Sequence, residues 1–295
     1  MDKPNIYRKL MLIPIFLIAA MLMSGCVSSG VQDKFKNLEQ IENQIQAKMQ
    51  DVSTTANKLQ SRAGAMDTTS IDNALELNTQ MTTQLKETKD LIKQAQGITA
   101  DLEKEKLSDS LKTKLQQIED INNHALAGTE SFELASQNMG KSLEFSKTIV
   151  SANKYFETAT SDINFGVSAL YAKNTAEAKT KLAAAKTELQ SAKTTYSQAS
   201  SVIYLKFTND MLDVIDKYDK CTTEYEQAVS ETDMNDAMGA YNDEMSAVSY
   251  CTAGNAMIPT QTTIDAEFGT WADKNIYTYT DKALNEFGQI QQLAQ

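Results

Sequence analysis

Residues 31–66 read VQDKFKNLEQIENQIQAKMQDVSTTANKLQSRAGAM, and their apolar side chains recur every seven residues. A second apolar row lies four residues after members of the first, and Glu42 is its one polar interruption. Five heptads of this kind predict a helix with a coiled-coil-like face, about 54 Å long. The first row is Val31, Leu38, Ile45, Val52, Leu59 and Met66, and the second is Phe35, Met49, Ala56 and Ala63.

The remainder of the chain is also predicted to be helical. No proline occurs between Cys26 and Pro259, and a proline costs about 3 kcal/mol inside a helix. A second helix, reaching to about Lys106, would form an antiparallel hairpin with the first. The sequence therefore predicts an all-α fold, namely an elongated antiparallel bundle of about seven long helices with a coiled-coil-like N-terminal hairpin.

Local signals place the middle helices. Gly140 predicts a break in the helical stretch 108–172. Asn174, with Glu177 three residues later, matches a capping box at the start of the next helix. The apolar run 202–207 is strand-like, but the helical period on both sides of it favours a continuous helix.

Two further helices complete the predicted bundle. One carries an apolar stripe through Tyr241, Met245 and Val248 to Cys251, and the last spans about 260–293. In the last helix the aromatic residues at helical spacing indicate core packing, whereas Tyr277 falls off that stripe. The sharper alternative is a ligand or partner patch, formed by Trp271, Tyr277 and Tyr279.

The N-terminus has the three parts of a secretory signal, which are a basic start, an apolar run and small residues before a cysteine. The apolar run is shorter than the roughly 20 residues of a permanent membrane helix. The basic residues are Lys3, Arg8 and Lys9, the apolar run is Leu10–Met23, and the small residues are Ser24 and Gly25.

Met23-Ser24-Gly25-Cys26 resembles the lipobox of prokaryotic membrane lipoproteins, with Met23 where leucine is usual. The resemblance implies cleavage before Cys26 and a lipid on the sulfur of Cys26. It also implies anchoring at the extracytoplasmic face of the cell membrane. The alternative is an uncleaved N-terminal anchor helix, which would likewise leave the protein attached to a membrane.

The predicted organisation has four parts. A signal peptide at 1–25 precedes a lipidated Cys26 with a short tether, 26–30. The hairpin at 31–106 is followed by a helical bundle at 107–295, which either continues from the hairpin or separates from it near residue 107 or 140. Because four tether residues reach only about 14 Å, the folded part would begin close to the membrane surface.

Composition narrows the classes of function. The formal net charge is −11, and residues 1–25 contribute +2 of it, so the mature chain would carry −13. Such acidity argues against nucleic acid as a partner, because phosphates would be repelled. His124 is the single histidine, and no catalytic, cofactor or metal motif accompanies it. We therefore predict a protein that is not an enzyme and that uses no cofactor or metal.

Cys221 and Cys251 are the remaining cysteines, and outside the cytoplasm a disulfide between them would persist. A hairpin that turned near residue 231 would leave them about 13 Å apart along a helix. That separation exceeds the Cα distance of about 7 Å that a disulfide tolerates. A bridge therefore needs a turn near residue 236 or a helix that ends before Cys251, and two separate buried thiols are the alternative.

Together these features predict a lipid-anchored helical protein that acts as a structural or protein-interaction module at the cell envelope. Its helix faces would bind a protein partner or a second copy of the chain. The alternative is a ligand-binding lipoprotein with a pocket between the C-terminal helices.

Overall fold

The computed structural model describes residues 28–62 and 68–293, and it confirms the predicted all-α fold. A π-helical turn, Asp273–Tyr277, joins the last two α-helices into one continuous stretch. The described residues therefore form seven helical segments. The helices are α1 Ser29–Arg62, α2 Thr68–Glu103, α3 Asp109–Tyr171, α4 Thr175–Val202, α5 Lys206–Asp233, α6 Ala237–Met257, α7 Gln261–Ala272 and α8 Thr278–Leu293.

The apolar rows predicted from the heptads of α1 are buried. The described members of both rows are at most 5% exposed, as is Glu42, the polar interruption, at 3%. Met66 and Ala63 lie outside the described residues. The confirmed buried members are Val31, Phe35, Leu38, Ile45, Met49, Val52, Ala56 and Leu59.

Ion pairs show that α1 and α2 run antiparallel, as predicted. Lys34 Nζ lies 2.7 Å from Glu105 Oε1, just beyond the end of α2, and Lys48 Nζ lies 2.6 Å from Glu87 Oε2. As the residue number rises along α1, its partner's number falls along α2.

The predicted break near Gly140 is wrong, because α3 is one helix of 63 residues. Gly140 instead allows close packing, since a Cβ there would lie 2.9 Å from Asn78 Nδ2. Asn78 of α2 is 5% exposed and donates a hydrogen bond of 3.0 Å to the carbonyl of Ser136. The glycine thus makes room for a buried polar contact and does not end the helix.

The described residues divide into two compact units. The first holds α1, α2 from Thr69, α3 up to Gly140, and the chain from Ala272 onwards; the second holds Lys141–Trp271. The division falls near residue 140, one of the two boundaries that the sequence left open. The boundaries predicted from the sequence did not place the C-terminal helix α8 in the first unit.

Side chains on α3 explain how α8 joins the first unit. His124 Nδ1 lies 2.8 Å from Glu286 Oε2, and Asn138 donates a hydrogen bond of 2.8 Å to the carbonyl of Asn275. Gly128 leaves space for the ring of Phe287, which is 4% exposed. A Cβ at Gly128 would lie 2.6 Å from Phe287 Cε1.

We expect Gly128→Ala to lower the free energy of unfolding by about 1 kcal/mol. Overpacking costs about 1–3 kcal/mol, which exceeds the gain of up to about 1 kcal/mol from replacing a helical glycine. Gly97→Ala is the matched control, because Gly97 is exposed on α2 and a Cβ there would meet nothing within 4 Å. That control should be stabilised in urea unfolding. Equal stabilisation of both variants would show that Phe287 does not restrict position 128.

In the second unit, lysines spaced seven residues apart on α4 pair with carboxylates on α5. The partner numbers fall as the lysine numbers rise, so the two helices are antiparallel. At these exposures an ion pair contributes at most about 1 kcal/mol, so the ladder fixes register more than it stabilises. The pairs are Lys179–Asp233 at 2.5 Å, Lys186–Glu226 at 2.8 Å and Lys193–Asp216 at 2.7 Å.

The predicted N-cap at the start of α4 is confirmed, but the second bond of a capping box is not, because the Asn174 backbone N–H donates to the Ala169 carbonyl. The Asn174 side chain accepts a hydrogen bond from the Glu177 backbone N–H at 3.3 Å, and Asn174 Nδ2 donates to Glu177 Oε2 at 2.7 Å. The Asn174 side chain thus satisfies one donor that the first turn of a helix leaves without an intrahelical partner.

The prediction of a continuous helix through 202–207 is wrong. The helix ends at Val202, and α5 begins at Lys206 after an extended Leu205. Ile203 and Leu205 are buried while Tyr204 between them is 69% exposed, an alternation typical of extended backbone. Leu205 provides no side-chain cap for α5.

A carboxylate distant in sequence supplies the missing cap. The Phe207 backbone N–H donates a hydrogen bond of 3.0 Å to Glu267 Oε2 on α7. The start of α5 therefore depends on a residue 60 positions later, which explains why local periodicity did not reveal it.

Candidate interaction surface

The hairpin of α5 and α6 is closed by a disulfide between Cys221 and Cys251, whose Cα atoms are 5.4 Å apart. The connection between the helices lies at Met234–Asp236. This is the later of the two turn positions considered from the sequence, and it is the one that lets the cysteines face each other. The structure thus favours the bridge over two separate thiols.

The face of α6 that packs on α5 consists of small residues. Its buried positions are Ala240, Ala247 and Gly254, which recur every seven residues. A Cβ at Gly254 would lie 3.0 Å from the ring of Tyr218 on α5. The Tyr218 hydroxyl donates a hydrogen bond of 2.6 Å to Asn255 Oδ1. The two helices therefore approach closely while α6 buries little apolar area.

The large apolar side chains of α6 point to solvent. Met238 is 71% exposed, Tyr241 59%, Met245 54% and Val248 43%. We call these four residues the α6 stripe. Because α-helical positions advance by about 100° per residue, the four residues share one face, away from Ala240 and Ala247. The predicted helix through Tyr241, Met245 and Val248 is confirmed, but its stripe of large apolar residues faces solvent and not α5.

The stripe carries no formal charge. Asp243 and Glu244 are the only charged residues within Ala237–Met257. At about 100° per residue they flank the line of Ala240 and Ala247, and both are half-buried. The exposed face of α6 is thus uncharged over three turns of a helix that belongs to a strongly acidic chain.

Acidic residues gather instead at the start of α6. The Asp236 side chain caps the helix by accepting a hydrogen bond of 3.0 Å from the Gly239 backbone N–H. Partial burial, then Asp243 and Asp236, raise the pKa of Glu231 above its ordinary value. Among the described residues, no group of three or more His, Cys, Asp or Glu side chains is arranged to hold a metal ion.

The three aromatic residues predicted as a ligand or partner patch fall in different units. Trp271 is half-buried in the second unit, packs against its core and has its ring centroid 6.0 Å from that of Phe268. Tyr277 is 37% exposed and Tyr279 is half-buried, and both belong to the first unit. Core packing is thus the role that the structure gives Trp271.

Cys26, the predicted site of lipid attachment, lies outside the described residues. His124, the single histidine, is partly exposed and pairs with Glu286. The Glu286 carboxylate orients the imidazole ring. The pair helps to dock α8 on α3.

A comparison of the chain with protein-family models, curated proteins and solved structures finds no match. Within residues 28–62 and 68–293, none of the helices combines the length and the hydropathy needed to cross a membrane.

The small residues of α6 indicate in the sequence which side of the helix faces α5, but the regular spacing of its large apolar residues indicates the opposite side. Ala240, Ala247 and Gly254 form a small-residue heptad beside Cys251. A disulfide at Cys251 requires the same side of α6 to face α5. That requirement reverses the orientation inferred from Tyr241, Met245 and Val248 alone.

Proposed function

We propose that the protein is a lipid-anchored, extracytoplasmic helical protein that acts as a structural and protein-interaction module at the cell envelope. The α6 stripe carries this proposal, because contiguous exposed apolar residues mark interaction sites on soluble protein surfaces. Four large side chains, each at least 43% exposed, occupy one face of a single helix.

The disulfide supports a location outside the cytoplasm. Disulfides persist in oxidising compartments and are rare where glutathione and thioredoxin keep thiols reduced. The bridge between Cys221 and Cys251 therefore agrees with export directed by the N-terminal signal that ends at Cys26. Two features at opposite ends of the chain favour the same compartment.

The use of polar residues supports a structural role. Lysines on α1, α4 and α2 pair with carboxylates on neighbouring helices, and Asn78, Asn138 and Tyr218 bond across helix pairs. These groups set the register of the bundle. In an enzyme, by contrast, titratable groups would converge on a concave pocket.

Cys26→Ser tests the anchor. Without its sulfur the residue cannot carry the thioether-linked lipid, so the protein should appear in soluble fractions or accumulate as the uncleaved precursor. Unfolding of the bundle should be unchanged, because the apolar row of α1 begins at Val31, five residues after Cys26. The measurements are membrane fractionation, precursor size on gels and far-UV circular dichroism.

Cys221→Ser removes one partner of the disulfide without touching the signal, so it is the control for cysteine loss in fractionation and processing only. It should leave fractionation and processing unchanged. If membrane association and precursor processing were both unaltered in Cys26→Ser as well, the lipoprotein proposal would fail.

A further inference from the structure

We infer that the occupant of the α6 stripe is the α6 stripe of a second copy, packed antiparallel to the first. This inference rests on the proposed function, because it names the partner of that interaction surface. Three observations support it: the spacing of the stripe, its lack of charge, and the way α6 is held.

The spacing of the stripe is that of a helix–helix seam. Met238, Tyr241, Met245 and Val248 are separated by three, four and three residues, which is the a/d pattern that interlocks with another helix. In an antiparallel pair with two-fold symmetry, Met238 of one copy faces Val248 of the other. Tyr241 then faces Met245, so that all four side chains find an apolar partner.

The charge distribution favours a second copy. The whole chain carries −11, so two copies repel each other wherever their surfaces are charged. The α6 stripe contains no carboxylate; Asp243 lies towards α5, and the half-buried Glu244 lies between α5 and Val248 at about 100° per residue. The stripe itself offers a basic partner no complementary charge, whereas an uncharged apolar helix would find apolar side chains along it.

The helix is held rigidly by covalent and hydrogen bonds. The Cys221–Cys251 bridge and the Tyr218–Asn255 hydrogen bond fix α6 on α5. An ordered face loses little conformational freedom when it associates, and such preorganisation strengthens binding. Helix α6 can therefore expose apolar side chains and remain folded on α5.

The size of the stripe indicates weak association in dilute solution. A stable interface takes roughly 20–30 residues from each partner, and the stripe offers four. Confinement to a membrane raises the effective concentration of the second copy. The inferred dimer therefore forms readily between anchored copies and only at high concentration when the chain is released.

Sedimentation equilibrium of the purified mature chain tests the inference. The wild-type chain should show a monomer–dimer equilibrium at high micromolar concentration. Met245→Glu, which places a carboxylate from each copy in the centre of the seam, should weaken dimerisation at least tenfold. Because Met245 is 54% exposed, the variant should keep the circular dichroism spectrum and unfolding midpoint of the wild type.

Met257→Glu is the matched control. It introduces the same change on the same helix at a residue 39% exposed, half a turn round the helix from Val248 at about 100° per residue. Dimerisation of Met257→Glu should equal that of the wild type. A wild-type chain that stays monomeric, or a dimer that Met245→Glu leaves intact, overturns the inference.

The experiments distinguish failure of the dimer from failure of the proposed function. If the chain is monomeric but a different envelope protein is captured by the wild type and lost with Met245→Glu, self-association fails and the interaction module stands. If Cys26→Ser leaves membrane association and processing unchanged, the anchor fails independently of any dimer.

Discussion

Replacing Glu42 with glutamine should stabilise the folded protein by about 3 kcal/mol at about pH 8, and the gain should vanish near pH 4. Glu42 is 3% exposed within the apolar seam of α1. Burial raises the pKa of its carboxyl to about 7, and the Asn122 side chain on α3 offsets part of the rise. Glu42 Oε1 and Asn122 Nδ2 lack hydrogen bonds of normal geometry among the described residues.

The direction of the pH dependence follows from the two pKa values of Glu42. Its ordinary pKa is 4.5 and its folded pKa is about 7, so between these values the folded state holds a proton that the unfolded state releases. Stability is therefore fully present below about pH 4.5 and is lost as the pH rises through 7. A glutamine resembles the protonated acid and removes the loss, which is about 1.4 kcal/mol per pKa unit.

Urea unfolding followed by far-UV circular dichroism at several pH values measures this effect. The wild-type midpoint should fall between about pH 5 and pH 8 more steeply than that of Glu42→Gln. Glu103→Gln is the matched control, because Glu103 is exposed at the end of α2. Parallel profiles for the wild type and Glu42→Gln would contradict the prediction.

Removal of the disulfide by Cys221→Ala and Cys251→Ala should lower the free energy of unfolding by about 3–4 kcal/mol. The bridge closes a loop with a sequence separation of 30 residues, for which chain entropy predicts a stabilisation of that size. Alanine is preferred to serine because Cys221 is fully buried and an unpaired hydroxyl there would add a cost of its own.

The loss of stability should be greatest in α6, because this helix buries only Ala240, Ala247 and Gly254. Small side chains contribute little apolar area, at about 25 cal/mol per Å². Hydrogen exchange should show α6 amides opening in the double variant while the amides of α4 keep their protection. Adding a reducing agent to the double variant is the control, and it should not change the hydrogen exchange of the α6 amides further. Unaltered protection of α6 would show that the bridge is dispensable for its docking.

The features predictable from the sequence are those determined by neighbouring residues. The buried rows of α1 follow from the apolar residue at every seventh position, and the N-cap of α4 follows from Asn174. Glu42 was visible as an interruption in the seam. Its raised pKa needed the structure, because the degree of burial depends on α2 and α3.

The features missed from the sequence depend on distant partners. Gly140 looks like a helix stop until Asn78 is seen beside it, and α5 begins where Glu267 caps it. The orientation of α6 depends on whether large apolar residues or small ones face α5. Close packing on Tyr218 and the bridge at Cys251 select the small ones, which leaves the candidate interaction surface outside.

The π-helical turn between α7 and α8 has a genetic consequence. Its backbone closes hydrogen bonds over five residues, as from the Thr278 N–H to the Asp273 carbonyl, and so holds one residue more than an α-helical turn. Deleting a single codon within Asp273–Tyr277 would remove this extra residue and restore an α-helical turn, so the residues after it would keep their faces. Phe287 would then still point towards Gly128, whereas a one-codon deletion within α8 before Phe287 would rotate Phe287 by about 100°.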